Sequence, residues 1–180
     1  MQAEEVPNQV AGKQQVKQQI MIESMAPFVS PPPMKISFAR SGASYCYSLA
    51  LPCHAVAFME PVKLAGDDFM KRWGALEGQE REQQEIVTST QKMDLAQVKK
   101  WLTENVKLAQ ADGIDTAGNS VTVAGTFRTG ATAPTGDKIS VGVLARIEAN
   151  LSTNAYRITV RAVHKDVSLA IKNGFKTILA

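Results

Sequence analysis

Apolar and polar residues alternate most cleanly over residues 141–161, VGVLARIEANLSTNAYRITVR. Val141, Val143, Ala145 and Ile147 fall on one side of an extended strand, and Leu144, Arg146 and Glu148 on the other, because successive strand side chains point to opposite faces. After a turn rich in Asn, Ser and Thr the pattern resumes, with Tyr156, Ile158, Val160 and Ala162 on one face and Arg157, Thr159 and Arg161 on the other. The two runs predict a hairpin. Of the two nearest registers that bring the apolar faces together, one sets Glu148 opposite Arg157 and the other sets Arg146 opposite Arg157. The first is expected, since like charges directly opposite are destabilising. It leaves an outward patch of three arginines around one glutamate, with Leu144 at its edge, a face suited to an acidic ligand.

The rest of the chain divides near Leu64. Before it, residues 15–23 (QVKQQIMIE), 34–40 (MKISFAR) and 45–51 (YCYSLAL) read as half-buried antiparallel strands, with a hairpin turn at Ser41-Gly42-Ala43-Ser44. The Pro31-Pro32-Pro33 run lacks ladder donors and marks a connection, and the first dozen polar residues read as disordered. Three strands alone bury too little, because a sheet needs a second layer. After Leu64 the period changes. Phe69, Trp73 and Leu76 recur at helical spacing behind Asp67 or Asp68 as a cap, and the helix ends near Gly78. Residues 82–89 predict a strand, and Asp94 opens a second helix with Leu95, Val98, Leu102 and Val106 on one stripe. Val121, Val123 and Phe127 mark another strand. Residues 165–179 predict a third helix burying Val167, Ala170, Ile171, Phe175 and Ile178, with Gly174 as its weak point. The expected class is α+β: an antiparallel sheet with helices packed on one face.

Composition changes this picture little. A chain of 180 residues, 44% hydrophobic and 21% charged, can bury one real core or two small ones. A net charge of +3 falls well short of the dense basic tracts that announce nucleic-acid binding. The longest mainly apolar run, residues 45–59, is too short for a membrane span and contains Pro52 and His54; no secretory signal is expected at the start. Cys46 and Cys53 would face opposite sides of one strand, so free thiols of an intracellular chain are expected.

Catalytic chemistry finds no anchor. His54 and His164 lack the short spacing of a metal or catalytic site, and no nucleophile elbow, P-loop or dinucleotide fingerprint occurs. Helix capping accounts for Asp67 and Asp68, and a solvated surface for the acids of residues 80–85. Neither an enzyme nor a cofactor is expected. The other unusual residue is Trp73. A helical tryptophan is ordinarily core, since large aromatics dominate buried area. Here Lys71 and Arg72 flank it, and Met70 at i, i+3 forms a second stripe, so a Met/Trp pair rimmed by bases is a candidate exposed anchor.

DDFMKRWGAL (residues 67–76), Lys92-Met93-Asp94 and LARIEANLSTNAYRITVR (residues 144–161), in this order and spacing, resemble the platform subdomain of the alpha-adaptin appendage, the ear of the plasma-membrane clathrin adaptor complex. The similarity covers roughly residues 64–180 and weakens back to about residue 15. The resemblance implies an immunoglobulin-like β-sandwich followed by a helix-and-sheet platform, so that residues 1–14 are a linker or disordered, 15–63 the C-terminal part of the sandwich and 64–180 the platform. It implies a non-enzymatic module of clathrin-mediated endocytosis, at the cytosolic face of the plasma membrane in coated pits. Its partners would be endocytic accessory proteins carrying Asp-Pro-Phe, Asp-Pro-Trp or Phe-x-Asp-x-Phe peptides, the other adaptor subunits through the parent chain, and the clathrin coat indirectly. Neither nucleic acid nor direct membrane insertion is expected.

By the same resemblance the tryptophan wall of the peptide pocket is Trp73. The bordering charges are Arg146, Glu148 and Arg157, with Arg161 nearby. Met70 stands where the family has a phenylalanine, which keeps apolar bulk but loses a flat wall. Ala149 stands where the family has a proline, and a looser loop beside Glu148 is expected. The sandwich-side peptide site has no counterpart to assign. Two alternatives follow: an appendage of a beta-type adaptor subunit, or a basic sheet for single-stranded nucleic acid. The second wants aromatics among the bases, and the outward strand face offers Leu144, Thr159 and Val163 instead.

Overall fold

The computed structural model describes residues 2–3, 9–90, 93–115, 118–150 and 152–180. Lys92 of the second-helix entry, Leu151 of the hairpin turn and part of the N-terminal polar stretch lie outside them. In chain order the strands are β1 (Gln2–Ala3), β2 (Ile20–Met21), β3 (Pro33–Arg40), β4 (Ala43–Ala50), β5 (Met59–Pro61), β6 (Glu82–Thr88), β7 (Ala109–Gln110), β8 (Ser120–Thr132), β9 (Lys138–Asn150) and β10 (Ala155–Ala162). The helices are α1 (Gly66–Ala75), α2 (Leu95–Glu104) and α3 (Lys165–Leu179), and a short 3₁₀ turn spans Ala55–Phe58.

The main sheet runs β5-β8-β9-β10-β6, with β7 also paired to β8, and these pairings are antiparallel. The β9–β10 register is the one that charge repulsion selects: Glu148 faces Arg157, and Ile147 faces Ile158. One sheet face carries Val121, Val123, Val143, Ala145, Ile147, Ile158 and Val160 into the main core, against α2, α3 and the 3₁₀ turn. Asp94 closes a capping box on α2, accepting from the Gln97 amide at 2.7 Å while the Gln97 side chain accepts from the Asp94 amide at 2.9 Å. That reciprocity satisfies two amides that an N-terminal turn otherwise leaves to water.

The sheet carries helices on both faces. α2 and α3 share the core face as expected, whereas α1 lies across the other, where Phe69 packs with Ala124, Leu144 and Ala111 in a second, smaller cluster. The reason is the outward face itself: Ala124 and Leu144 interrupt a polar pattern, and their burial requires a cover. Leu144 is therefore buried under α1, not placed at the edge of an open patch. The cap of α1 also differs. Ala65 occupies the N-cap without a side-chain bond, and Asp67 and Asp68 sit in the first turn, where they complement the helix dipole.

Upstream, β3 and β4 form the expected hairpin, closed by Ser41 and Gly42 at φ 50° and 79°. Positive φ at both central positions gives the turn a twist that matches its strands. Among the described residues, the strand expected over residues 15–23 contracts to Ile20–Met21, paired with Gln2–Ala3. Ala55, Val56, Phe58 and Met59 precede Leu64 yet pack into the main core, and β5 pairs with β8.

Candidate peptide-binding site

The outward face of the sheet is ordered in rows across its strands. Ser120, Glu148, Arg157 and Ile86 form one row; Thr122, Arg146, Thr159 and Gln84 the next; Ala124, Leu144, Arg161 and Glu82 the third. α1 covers the third row; in the first two, Ser120, Thr122 and Thr159 are buried, while Arg146, Glu148 and Arg157 stay partly exposed. At about 3.3 Å per strand residue, Arg157 lies about 13 Å along the strand from Arg161. An extended peptide of about four residues spans that distance.

Trp73 projects from α1 onto this face. It is half-buried, its ring stacked on Phe69 at 5.5 Å, and the Arg161 guanidinium lies 4.3 Å from the ring centroid. Arg161 also donates from Nη1 to the Trp73 carbonyl at 2.6 Å and from Nε to Glu82 at 2.6 Å, and its Nη2 pairs with the same Glu82 oxygen. All three guanidinium nitrogens are thus engaged. Arg161 is buried and is not part of an open arginine patch; it pins the helix that carries the tryptophan. The acids of residues 80–85 are likewise more than solvated surface. Glu82 holds Arg161 on the outward face, and Glu85, on the opposite face of β6, bonds Lys172 and Lys176 of α3. These lysines hold the Glu85 carboxyl below its ordinary range, the Lys172 hydrogen bond contributing most.

Glu148 is the hub of the first two rows. It accepts from Arg157 Nε at 2.7 Å and lies 3.5 Å from Arg146 Nη2. The Arg157 hydrogen bond lowers its pKa; partial burial opposes this, and the charges of Arg146 and Arg157 add to the lowering. The same bond raises the pKa of Arg157. Arg146 is incompletely served, since its Nε is buried without a partner among the described residues. A buried donor without an acceptor costs its desolvation, which offsets part of what the Arg146–Glu148 pair contributes. Met70 is 52% exposed on α1, at i, i+3 from Trp73.

Three residues of this face escaped the sequence reading. Asp115 accepts from Ser120 Oγ at 2.9 Å, the Thr122 amide at 2.7 Å and Thr122 Oγ1 at 2.6 Å, fixing the strand edge beside Arg146 and Glu148. The outward alternation of Ser120, Thr122 and Ala124 was a visible signal for two of them; the approach of Asp115 depends on a loop path that no period encodes. Ala149 corrects an expectation as well. Its amide donates to the Asn119 carbonyl at 2.9 Å, a bond that proline lacks, so the strand beside Glu148 is held and not loosened.

The chain's relatives agree with this architecture. Residues 57–179 match the family model described as "Alpha adaptin AP2, C-terminal domain". The alpha-2 subunit of the AP-2 complex from Dictyostelium discoideum is 27% identical over 173 residues, covering 96% of this chain and 17% of that protein. The AP-2 complex subunit alpha of Schizosaccharomyces pombe is 24% identical over 168 residues, covering 92% of this chain and 18% of its own length. The chain therefore spans less than a fifth of each of these relatives. The family match reaches through β5, α1 and the β9–β10 hairpin and sets aside the beta-type alternative: the chain belongs to the alpha-adaptin C-terminal domain family.

Proposed function

We propose that the open face between α1 and the β9–β10 hairpin binds short acidic-aromatic peptides of the Asp-Pro-Phe, Asp-Pro-Trp and Phe-x-Asp-x-Phe kind, as part of a clathrin adaptor alpha subunit. The observation that carries the reading is the half-buried Trp73 ring on α1, above a sheet face on which the Arg146 and Arg157 side chains stay 39% and 49% exposed around Glu148. A peptide aromatic packs on Trp73 and Met70, Arg146 and Arg157 attract the acidic residue, and Glu148 orients both arginines and accepts a peptide N–H. Arg161 acts through Trp73 by fixing its carbonyl and ring. On this reading residues 64–180 form the platform, extended upstream by residues 55–61, which share its core and sheet, the residues before them belong to the C-terminal part of a sandwich, the module is non-catalytic, and its place is the cytosolic face of the plasma membrane in coated pits. No helix of the described residues is long and apolar enough to cross a membrane. Each motif binds weakly, and repeated motifs in one disordered tail raise the effective affinity by avidity.

Calorimetric titration of an Asp-Pro-Phe peptide into the wild-type chain and Trp73→Ala tests the assignment. Binding is expected in the wild type and lost in the variant. Equal binding by both removes the site.

A further inference from the structure

On the opposite flank of α1 from Trp73, the same sheet face is hollowed. The hollow measures about 270 Å³, with Gly142 and Leu144 in its floor, Leu76 on the helix side, and Val62, Leu64 and Val163 around the remainder. Its origin is legible in β9. Gly142 points outward between the inward Val141 and Val143, and a Cβ built there meets no atom within 4 Å. A strand interior gains from a side chain, so a glycine at an outward position with free space leaves room for something else. The walls are aliphatic.

The rim is basic. Arg72 lines the hollow and forms no ion pair among the described residues, and Arg81 donates to the Ala75 carbonyl at 3.1 Å, beside the same helix end. Glu60, whose strand neighbour Thr126 also lines the hollow, is turned toward Arg128 at 3.6 Å. An apolar cup with an unpaired cation at its edge complements an aliphatic side chain next to a carboxylate. We propose that this hollow is a second docking site, which takes one aliphatic side chain of a short acidic peptide independently of the Trp73 face. Two sites on opposite flanks of one helix would let a single tail with spaced motifs engage both.

The test is an amide-detected NMR titration of the 180-residue chain with a capped peptide carrying one leucine between aspartates. Saturable shifts are expected at Gly142, Thr126 and Leu76, and they persist in Trp73→Ala. Gly142→Leu fills the hollow from its own strand and is expected to weaken binding by about tenfold or more, the loss that follows from excluding one leucine side chain. Arg72→Glu, on the exposed helix surface, weakens it by about threefold and serves where the glycine variant fails to fold. Replacing the peptide leucine by alanine abolishes the shifts. Shifts centred on Met70 and Trp73 and lost in Trp73→Ala would overturn the second site, as would absence of saturable shifts or unchanged affinity in a folded Gly142→Leu or Arg72→Glu. Because Trp73→Ala leaves the expected result intact, failure here is distinct from failure of the Trp73 assignment.

Discussion

Arg157 and Arg161 share one face of one strand and differ in what surrounds them. Arg161 has 10% side-chain exposure and every nitrogen engaged, whereas Arg157 is 49% exposed and bonds Glu148 alone among the described residues. Arg161→Ala leaves Glu82 without its cation and frees the Trp73 carbonyl, so it is expected to cost about 2–4 kcal/mol in urea unfolding. Arg157→Ala is expected to cost under about 1 kcal/mol, as exposed pairs do, while weakening the Asp-Pro-Phe peptide in calorimetry. A large stability loss for Arg157→Ala with unchanged binding would reverse these roles. Glu148 gives a pH signature. Its folded pKa is depressed, so its contribution is fully present above the unfolded value of about 4.3 and is lost as pH falls through the lower folded value. Carbon-detected titration should find its midpoint below that of an ordinary glutamate, and Arg157→Ala should move it upward. Met70→Phe restores a flat wall and is expected to tighten a phenylalanine-bearing peptide by about two- to tenfold, read by the same calorimetry.

Among the elements, two glycines within helices have opposite meanings. In α3, a Cβ at Gly174 would stand 2.7 Å from Val56 Cγ1, so the helix approaches the 3₁₀ turn through that position. Gly174 is thus a packing requirement where helix propensity alone marks a weak point. In α1, a Cβ at Gly74 meets nothing within 4 Å. Gly174→Ala is expected to lower stability by about 1 kcal/mol, since overpacking against a stiff valine outweighs the propensity gain. Gly74→Ala is expected to raise it by up to about 1 kcal/mol. Thermal unfolding of the pair distinguishes them; stabilisation by both would mean that α3 has room to move. The bounds of α3 and the cap of α2 were legible because both follow from local chemistry, periodicity in the one and a capping box in the other. The cap of α1 was not, since Ala65 offers no side-chain oxygen and the helix is placed by Phe69 and Trp73 packing on the sheet.

At the scale of the whole molecule, the main sheet and the upstream β3–β4 hairpin are unequally covered. The sheet from β5 to β10 buries apolar residues on both faces. In β3–β4, one face lines up Ile36, Phe38, Tyr45, Tyr47 and Leu49, with the Phe38 ring stacked at 5.3 Å on Tyr45 and 5.7 Å on Tyr47, and these side chains stay exposed. A contiguous apolar face of this kind drives association. Sedimentation velocity is expected to show concentration-dependent self-association of the 180-residue chain, reduced by Phe38→Ser with Tyr47→Ser, while the unfolding of the main core is unchanged. Identical sedimentation of wild type and variant would remove that role.

Sequence by itself determined the three helices, the longer strands of the main sheet and the register that sets Glu148 against Arg157, because each rests on a short period or on charge between near neighbours; the short β5 and β7 and the approach of Asp115 carry no such period. Tertiary structure alone decided which sheet face α1 covers, and with it that Arg161 is a buried fastener while Arg157 is an open contact. Nothing local separates those arginines. Their difference is set by Glu82 and by the Trp73 carbonyl, far along the chain, and by the apolar demand of Ala124 and Leu144, which draws the helix over the row of Arg161 and leaves Arg157 partly exposed.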